Sequence, residues 1–316
     1  MTTSLLDRRL LFVTGKGGVG KTTIAAALGT LAADHGKRTL VCEVDAKGNL
    51  SDFFESGRTG FDPTPISERL FAMSMNTEES LKEYLSLQLK MPVLARIGPL
   101  ARTFDFVATA APGVKEILTV GKLAWEVREQ HYDLVVVDAS ASGHIVGQLG
   151  APEAINELVQ VGLVRDQTGW MLDILGDPAQ TGVVIVAAPE EMPVQETIEL
   201  AARLREDTVV ELAAVVVNRV LPELFNAGEE ELFERLRHDD AMVQALAEVG
   251  GGPVEPILEA AELAVSLRRS RAGHLQKLRT ELAGTELLYV PYLFQRTHGV
   301  RATNRIAGHL GEELGF

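Results

Sequence analysis

The run Gly15-Lys16-Gly17-Gly18-Val19-Gly20-Lys21-Thr22-Thr23 is more informative about architecture than any other part of this 316-residue chain. It follows an apolar run at 10–13 that predicts a β-strand, and it leads into an alanine-rich segment at 24–31 that predicts a helix. A strand, a glycine-rich turn and a helix start form the setting of a phosphate-binding P-loop. Glycines let the backbone fold around an oxyanion, so that successive N–H groups and the helix N-terminus point at the phosphates. Residues 15–23 are therefore predicted to bind a nucleoside triphosphate.

Two side chains of this run have predicted chemical roles. Lys21 is expected to reach the β- and γ-phosphates and to act in catalysis, and the Thr22 hydroxyl is expected to bind Mg²⁺. The predicted cofactors are therefore ATP and Mg²⁺.

Lys16 stands directly after the first glycine, where an ordinary P-loop does not require a lysine. The string GKGGVGKT resembles the deviant P-loop of the ATPase class that includes MinD, ParA, the nitrogenase iron protein and the arsenite-transporting ATPases. Within that class, the resemblance implies that this lysine crosses a dimer interface to the partner's nucleotide. There it would stabilise the negative charge that builds on the transferring phosphoryl group, as an arginine finger does. The other interpretation of Lys16 is a solvated loop lysine.

Apolar runs typical of buried parallel strands recur along the chain and are separated by helical patterns. They lie at residues 10–14, 39–44, 70–75, 134–137, 183–187, 213–217 and 287–290. Because strands alternate with helices, we predict a doubly wound, mainly parallel α/β sheet of the P-loop NTPase type, with ligands at the carboxyl ends of the strands. The length suits a single P-loop ATPase domain over residues 1–316.

Two blocks, at about 76–131 and 145–180, are longer than a crossover between strands requires. Both carry Leu, Val, Ile and Met at helical spacing, and Pro92, Pro99 and Pro112 divide the first into short helices. We interpret both blocks as insertions that form a helical subdomain beside the nucleotide core. Their apolar residues either form a groove for an apolar client or pack the subdomain's own core, and the sequence leaves both interpretations open. Another amphipathic helix is predicted at about 255–282.

Composition argues against several kinds of partner and site. The formal net charge of −14 argues against nucleic acid or an anionic membrane surface as the primary partner. Cys42 is the only cysteine, which excludes an intramolecular disulfide and any site of paired thiolates within the chain. No run is apolar enough to span a bilayer, and no signal peptide precedes the first strand, so we expect a cytoplasmic protein.

Asp45 and Asn49 follow the predicted strand at 39–44, beside the P-loop. A carboxylate in that place can orient or deprotonate the attacking water in phosphoryl transfer, which makes Asp45 a catalytic candidate. The alternative for Asp45 is a helix N-cap or a turn residue. Asn49 is a candidate γ-phosphate sensor, with a purely structural loop residue as the competing interpretation.

The run Leu134-Val135-Val136-Val137-Asp138 has the Walker-B pattern, in which a buried strand presents an acid to Mg²⁺, here through a water molecule. The small residues at 139–143, which end at Gly143, are predicted to form a flexible switch that orders around a γ-phosphate. His144 is either a catalytic base or a structural residue of that switch. Because His144 has no partner at metal-ligand spacing, we predict no zinc site.

Seven motifs in one order extend the resemblance from residue 10 to about residue 300. They are GKGGVGKTT, EVDAKGNLSDFF, PGVKEIL, VVVDASASGH, APEEMPVQET, VVNRV and VPYLFQRTHG. Together they resemble the arsenite-transporting ATPase family, which includes the targeting factor for tail-anchored membrane proteins. The resemblance implies that Asp45 and Asn49 belong to switch I, with Asp45 positioning water, and that residues 138–144 form switch II.

The same resemblance implies contacts with the rest of the nucleotide. It assigns Asn218 to adenine, Glu190 to a second nucleotide contact, and Pro291 and Leu293 to an adenine loop at 291–298. An amide such as that of Asn218 can both donate to and accept from an adenine edge. The chain departs from the family at its cysteines. Residues 219–250 lack the CxxC that clamps zinc across the dimer of the targeting factors, and the arsenite pump subunit uses several cysteines for its metalloid.

The predicted function is ATP hydrolysis by a dimerising ATPase. The chain has one P-loop, so the partner is a second copy or a related ATPase subunit. Nucleotide would switch the helical subdomain, which handles a hydrophobic client or a membrane-protein partner. One alternative is an oxyanion-efflux-pump ATPase subunit. The other is a MinD/ParA-like positioning switch, which ranks last because residues 305–316 are broken by glycines and are not basic.

Overall fold

The computed structural model describes residues 4–44, 49–89, 113–158, 161–294 and 299–316. Its centre is an eight-stranded sheet with the order β3-β4-β2-β5-β1-β6-β7-β8. The strands are β1 Leu10–Gly15, β2 Thr39–Glu43, β3 Thr64–Pro65, β4 Leu70–Ser74, β5 Leu134–Ala141, β6 Thr181–Ala187, β7 Leu212–Val220 and β8 Glu286–Pro291. All neighbours pair in parallel except β3, which runs antiparallel to β4 at one edge.

Eleven α-helices connect and cover these strands within the described part of the chain. They are α1 Lys21–Asp34, α2 Asn49–Phe54, α3 Thr77–Leu89, α4 Val114–Arg128, α5 Ser142–Leu158, α6 Leu163–Leu175, α7 Glu191–Asp207, α8 Ala227–Arg237, α9 Asp240–Gly250, α10 Glu255–Glu281 and α11 Val300–Leu314. In these ranges no helix combines the length and apolar character that a bilayer span requires.

The predicted doubly wound α/β sheet is confirmed. Each of the seven predicted strands is present, because strands with helices on both faces are apolar along their whole length and stand out in sequence. The sequence did not reveal β3, since two residues carry no periodic signal. Its Pro65 lies on an edge strand, the part of a sheet that tolerates a missing N–H donor.

Each face of the sheet is covered by its own apolar cluster. On one face, α1, α2 and α11 pack through residues such as Leu28, Leu50 and Leu310. On the other face, α4 to α7 and the end of α10 pack through residues such as Leu123 and Leu278. The two layers hold the central strands so tightly that β1, β2 and β6 are buried over their full length.

Helices α3 to α6 correspond to the two predicted helical blocks. Lys122 of α4 pairs with Glu83 of α3 at 2.7 Å, and the Arg128 guanidinium of α4 lies 4.9 Å from the ring centre of Trp170 in α6. The described helices of both blocks are therefore in mutual contact. The division of the chain into a core and a helical subdomain remains a prediction, and Pro92, Pro99 and Pro112 lie outside the described residues.

A further group of helices follows β7. Only α10 was predicted there, at nearly its observed bounds, whereas α8 and α9 were not predicted. Asn226 caps α8 in a capping box with Glu229, and the Asp239 carboxylate accepts from two backbone N–H groups at the start of α9. No residue of α9 is buried. Local capping rather than burial therefore defines the ends of these helices.

Candidate nucleotide-binding site

The glycine-rich run leaves β1 at the centre of the sheet, between β5 and β6. Gly15 has φ +144°, and a Cβ built on it would lie 2.2 Å from the Val186 carbonyl oxygen of β6. Neither that dihedral nor that distance suits any residue with a side chain. The first glycine therefore lets the chain turn away from the sheet directly beside a neighbouring strand.

Two further glycines shape the turn. Gly18 and Gly20 have φ +85° and +100°, and no described atom lies within 4 Å of a Cβ built on Gly17 or Gly18. Gly20 is the N-cap of α1 and has no side chain with which to cap it. The first N–H groups of α1 thus remain for an oxyanion lodged in the loop, as at helix N-termini that bind phosphate.

The two lysines of the loop lie close together. The Lys21 ammonium is 3.4 Å from the Lys16 carbonyl oxygen, so it folds back over the loop. The Lys16 ammonium forms an ion pair at 2.6 Å with the Glu196 carboxylate of α7. Glu196 was not predicted as a site residue, although it falls within the APEEMPVQET motif.

Thr22 and Asp138 meet at the end of β5. The Thr22 hydroxyl donates to the Asp138 carboxylate at 2.6 Å, and Asp138 is 6% exposed. Hard oxygen donors of this kind, one hydroxyl beside one carboxylate, suit Mg²⁺, which takes few protein ligands and completes its shell with water and phosphate. The donor set therefore fits the predicted cation.

The predicted flexible switch at 139–143 requires a correction. Instead of ending at 137, β5 continues to Ala141, which pairs with Gly15, and α5 begins at the next residue. The Thr14 hydroxyl also donates to the Ser140 carbonyl oxygen at 2.9 Å. Pairing with β1 therefore gives this segment a regular backbone, and its ordering around a γ-phosphate remains a prediction.

Gly143 and His144 lie in the first turn of α5, and both are exposed. Within the described ranges, no cluster of three or more His, Cys, Asp or Glu side chains has the geometry of a metal site.

Gly143 lies at the N-terminus of α5, on the same edge of the sheet as the P-loop. Its contact with nucleotide remains a prediction.

Asn218 is buried next to the P-loop. Its side-chain N–H donates to the Val19 carbonyl oxygen at 2.8 Å, and its carbonyl oxygen accepts from the Arg219 backbone N–H at 2.9 Å. The amide therefore braces the loop from β7, a contact across 199 positions that local sequence patterns do not reveal. An amide carries a second N–H, so the adenine role predicted for Asn218 remains open.

Other predicted nucleotide contacts lie along the same edge of the sheet. Glu190 is the exposed N-cap of α7, and its carboxylate is 3.5 Å from the Arg271 guanidinium of α10. Pro291 ends β8, and Leu293 packs against the cluster that includes α1. The structure brings these residues to the edge of the sheet where the P-loop lies, and their nucleotide contacts remain predictions.

Switch I is described only at its borders. Asp45 lies outside the described residues, as does the side chain of Asn49, whose backbone begins α2. The Val44 backbone N–H donates to the Asp138 carbonyl oxygen at 3.1 Å. The residue before Asp45 is thus bonded to the Walker-B aspartate, and the catalytic role of Asp45 remains a prediction.

Comparison with known proteins identifies similarity to ATPases. The sequence model of the family described as anion-transporting ATPase matches residues 8–172 and 163–249. ATPase BagA of Mycobacterium tuberculosis is 31% identical over 225 residues, which are 68% of this chain and 66% of that protein. A putative arsenical pump-driving ATPase of Halobacterium salinarum is 28% identical over 257 residues, 74% of this chain and 39% of that protein. ATPase GET3 of Podospora anserina is 30% identical over 176 residues, 54% of this chain and 52% of that protein.

In each of these comparisons the matched region spans less than two thirds of the relative's length. The family match itself begins before β1 and extends beyond the P-loop, the Walker-B strand and β7, over most of the described sheet. The predicted resemblance is therefore confirmed, and the chain belongs to the anion-transporting ATPase family.

Proposed function

We propose that this chain binds ATP with Mg²⁺ in its P-loop and hydrolyses it. The observation that carries the proposal is the geometry at the start of α1, where three glycines with positive φ lead into a helix with an uncapped N-terminus. Backbone N–H groups there bind phosphate oxygens, and Lys21 adds a positive charge on the transferring group. Thr22 and, through water, Asp138 would hold Mg²⁺, which would supply neutralisation of the phosphate charge.

Asp45 is the proposed water-positioning residue. It immediately follows Val44, which is bonded to the backbone of Asp138, so the start of switch I lies next to the proposed magnesium site. A carboxylate beside the γ-phosphate can accept a proton from the attacking water. The hydrolysis step would therefore depend on Asp45, whereas nucleotide binding would not.

A second protomer, identical or related, completes the proposed site. One chain contributes one P-loop, and its Lys16 side chain is 29% exposed. Reaching across a two-fold axis, Lys16 would bring a positive charge to the partner's phosphates at the moment when negative charge develops there. Closure of the dimer on ATP is therefore part of the proposed reaction.

The helical subdomain, which comprises α3 to α6, is the proposed site of client handling. Helices α3, α4, α5 and α6 line a partly open cavity of about 260 Å³ whose walls include Leu81, Ile117, Trp125, Trp170 and Met171. A cavity of about 150 Å³ already accommodates benzene, so this one has room for one or two large apolar side chains. We infer that the client or membrane-protein partner inserts apolar side chains there rather than a whole membrane-spanning helix.

Two observations weigh against the alternative functions. Cys42 is fully buried, and burial raises the pKa of its thiol, which suits packing rather than the thiolate chemistry of metalloid binding in an oxyanion pump subunit. The apolar face of α11 packs on α1 through Ile306 and Leu310, so it is not presented to a membrane as in a positioning switch.

Steady-state hydrolysis of ATP tests the catalytic proposal. The wild type should release phosphate in the presence of Mg²⁺, and Lys21→Ala should lose about a hundredfold of the rate or more. Asp45→Asn should lose a similar factor yet retain nucleotide affinity. Lys115→Ala, which removes an exposed lysine of α4, is the matched control and should be unchanged. Equal rates for the wild type and Lys21→Ala would contradict the proposal.

Hydrogen exchange tests whether nucleotide binding changes the conformation of the helical subdomain. A non-hydrolysable ATP analogue should change the protection of backbone amides in α3 and α4, which border the cavity. Helix α9, which has no buried residue, serves as the internal reference. Protection that stays the same in α3 and α4 would contradict nucleotide-driven switching while leaving ATP hydrolysis untouched.

A further inference from the structure

We propose that Glu196 of α7 holds Lys16 within its own protomer in the absence of nucleotide, and so sets how readily two protomers close on ATP. This inference rests on the proposed function, because it concerns the lysine that would act across the dimer. Glu196 is thus a positioning residue, which acts through Lys16 and does not touch the substrate.

The contact that carries the inference is short and spans the molecule. The Lys16 ammonium lies 2.6 Å from the Glu196 carboxylate, and the two residues are separated by 180 positions in the chain. Their side chains are 29% and 31% exposed. Lys16 is therefore bound to its own α7 and is not extended towards a second protomer.

Helix α7 is the fixed side of this pair. Its residues Val194, Leu200 and Leu204 are buried in the cluster that also contains residues of α5 and α6. The Lys277 ammonium of α10 donates to the Gln195 side chain at 2.8 Å, one position from Glu196. Lys16, by contrast, lies in a loop, so release of the pair moves the lysine rather than the helix.

The strength of the pair suits a contact that nucleotide can displace. An ion pair with about a third of each side chain exposed contributes little, because water and salt screen it. Such a pair biases Lys16 towards its own protomer by about two- to fivefold. The partner's triphosphate carries several negative charges and can displace Glu196 as the partner of the Lys16 ammonium. The Glu196 carboxylate is then solvated at its exposed edge. Glu196 would therefore shift the equilibrium away from the closed dimer without preventing closure.

The test compares Glu196→Gln with Glu199→Gln. Both substitutions remove one carboxylate from α7, but Glu199 is exposed and bonds to Gln195, not to Lys16. Sedimentation with Mg²⁺ and a non-hydrolysable ATP analogue gives the protein concentration at which half the chains are dimeric. Because each dimer releases two such pairs, we expect Glu196→Gln to lower that midpoint by about fourfold to about 25-fold and Glu199→Gln to leave it unchanged. The shift should shrink at high salt, which screens exposed charges.

The Lys16→Ala background separates a positioning role from a structural one. Glu196→Gln should have no effect on the dimer midpoint in that background, because the group that it restrains is gone. The inference is overturned if Glu196→Gln behaves like Glu199→Gln, if it raises the midpoint, or if its effect persists without Lys16. A wild type that neither dimerises nor hydrolyses ATP would instead contradict the proposed function, so the two failures are distinguishable.

Discussion

Helices α1 and α9 are both alanine-containing, yet their surroundings are opposite. In α1 every residue from Ile24 to Ala32 is buried, whereas α9 has no buried residue and keeps Leu246 and Val249 exposed. The difference lies in what fixes each helix. Contacts all round hold α1 beneath the P-loop, while α9 depends on its Asp239 cap and on propensity. Rigidity is thus concentrated where phosphate binding is proposed.

The largest effect is expected at the turn that joins β1 to α1. Gly15→Ala places a Cβ 2.2 Å from the Val186 carbonyl oxygen and requires φ +144° of a residue with a side chain. We expect a loss of more than about 4 kcal/mol in the free energy of unfolding, measured by urea denaturation. Gly17→Ala is the control, because a Cβ built on Gly17 has no atom of the described residues within 4 Å. Equal stability of the two variants would show that the turn is not rigid.

The next effect compares the two helices directly with one type of substitution. Leu28→Ala in α1 removes a fully buried side chain and should cost about 2–5 kcal/mol of stability. Leu246→Ala in α9, where the side chain is 38% exposed, should change it by less than about 0.5 kcal/mol. Thermal denaturation of both variants measures this difference. A similar loss at Leu246 would mean that α9 is covered by a partner in solution.

A pH-dependent effect on stability is expected at Cys42, which is buried in the core of the sheet. Burial raises the pKa of the Cys42 thiol far above its usual range, so the folded protein keeps it protonated. The unfolded chain ionises it above about pH 8.5, which favours unfolding by about 1.4 kcal/mol for each further pH unit. The difference in stability between the wild type and Cys42→Ala should therefore be constant below pH 8 and shrink above it. A difference that stays constant up to pH 10 would contradict a buried thiol.

The smallest effect is expected at the cap of the exposed helix. Asp239→Ala removes the acceptor for the Ala241 and Met242 backbone N–H groups and should destabilise α9 locally by about 1 kcal/mol. Faster hydrogen exchange confined to α9 would report this, with no change in α1. Asp239→Asn retains an acceptor and serves as the matched control. Faster exchange throughout the sheet would mean that α9 is integral to the core.

These contrasts explain which parts of the fold were predictable. The central strands and α1 were predicted because full burial requires apolar residues at every position, which is visible locally. The α8–α9 pair was not predicted, although both helices carry apolar residues at helical spacing and begin at recognisable N-caps, Asn226 and Asp239. The extension of β5 to Ala141 depends on pairing with β1, which the small residues themselves do not signal.

The candidate site divides in the same way. The P-loop glycines, Lys21, Thr22 and Asp138 were predicted from motifs, and the structure brings Thr22 and Asp138 together. The Asn218 brace on Val19 and the Glu196 partner of Lys16 join residues 199 and 180 positions apart. Such contacts arise from the strand order of the sheet, so they become visible only when the chain is folded.

Calorimetric titration of the chain with MgATP measures occupation of the P-loop itself, because the signal requires neither turnover nor a client. We predict saturable heat at one site per chain, and an affinity reduced at least about tenfold in Lys21→Ala. An absence of heat together with an unchanged thermal midpoint, or equal affinities for the wild type and Lys21→Ala, would contradict nucleotide binding at the P-loop.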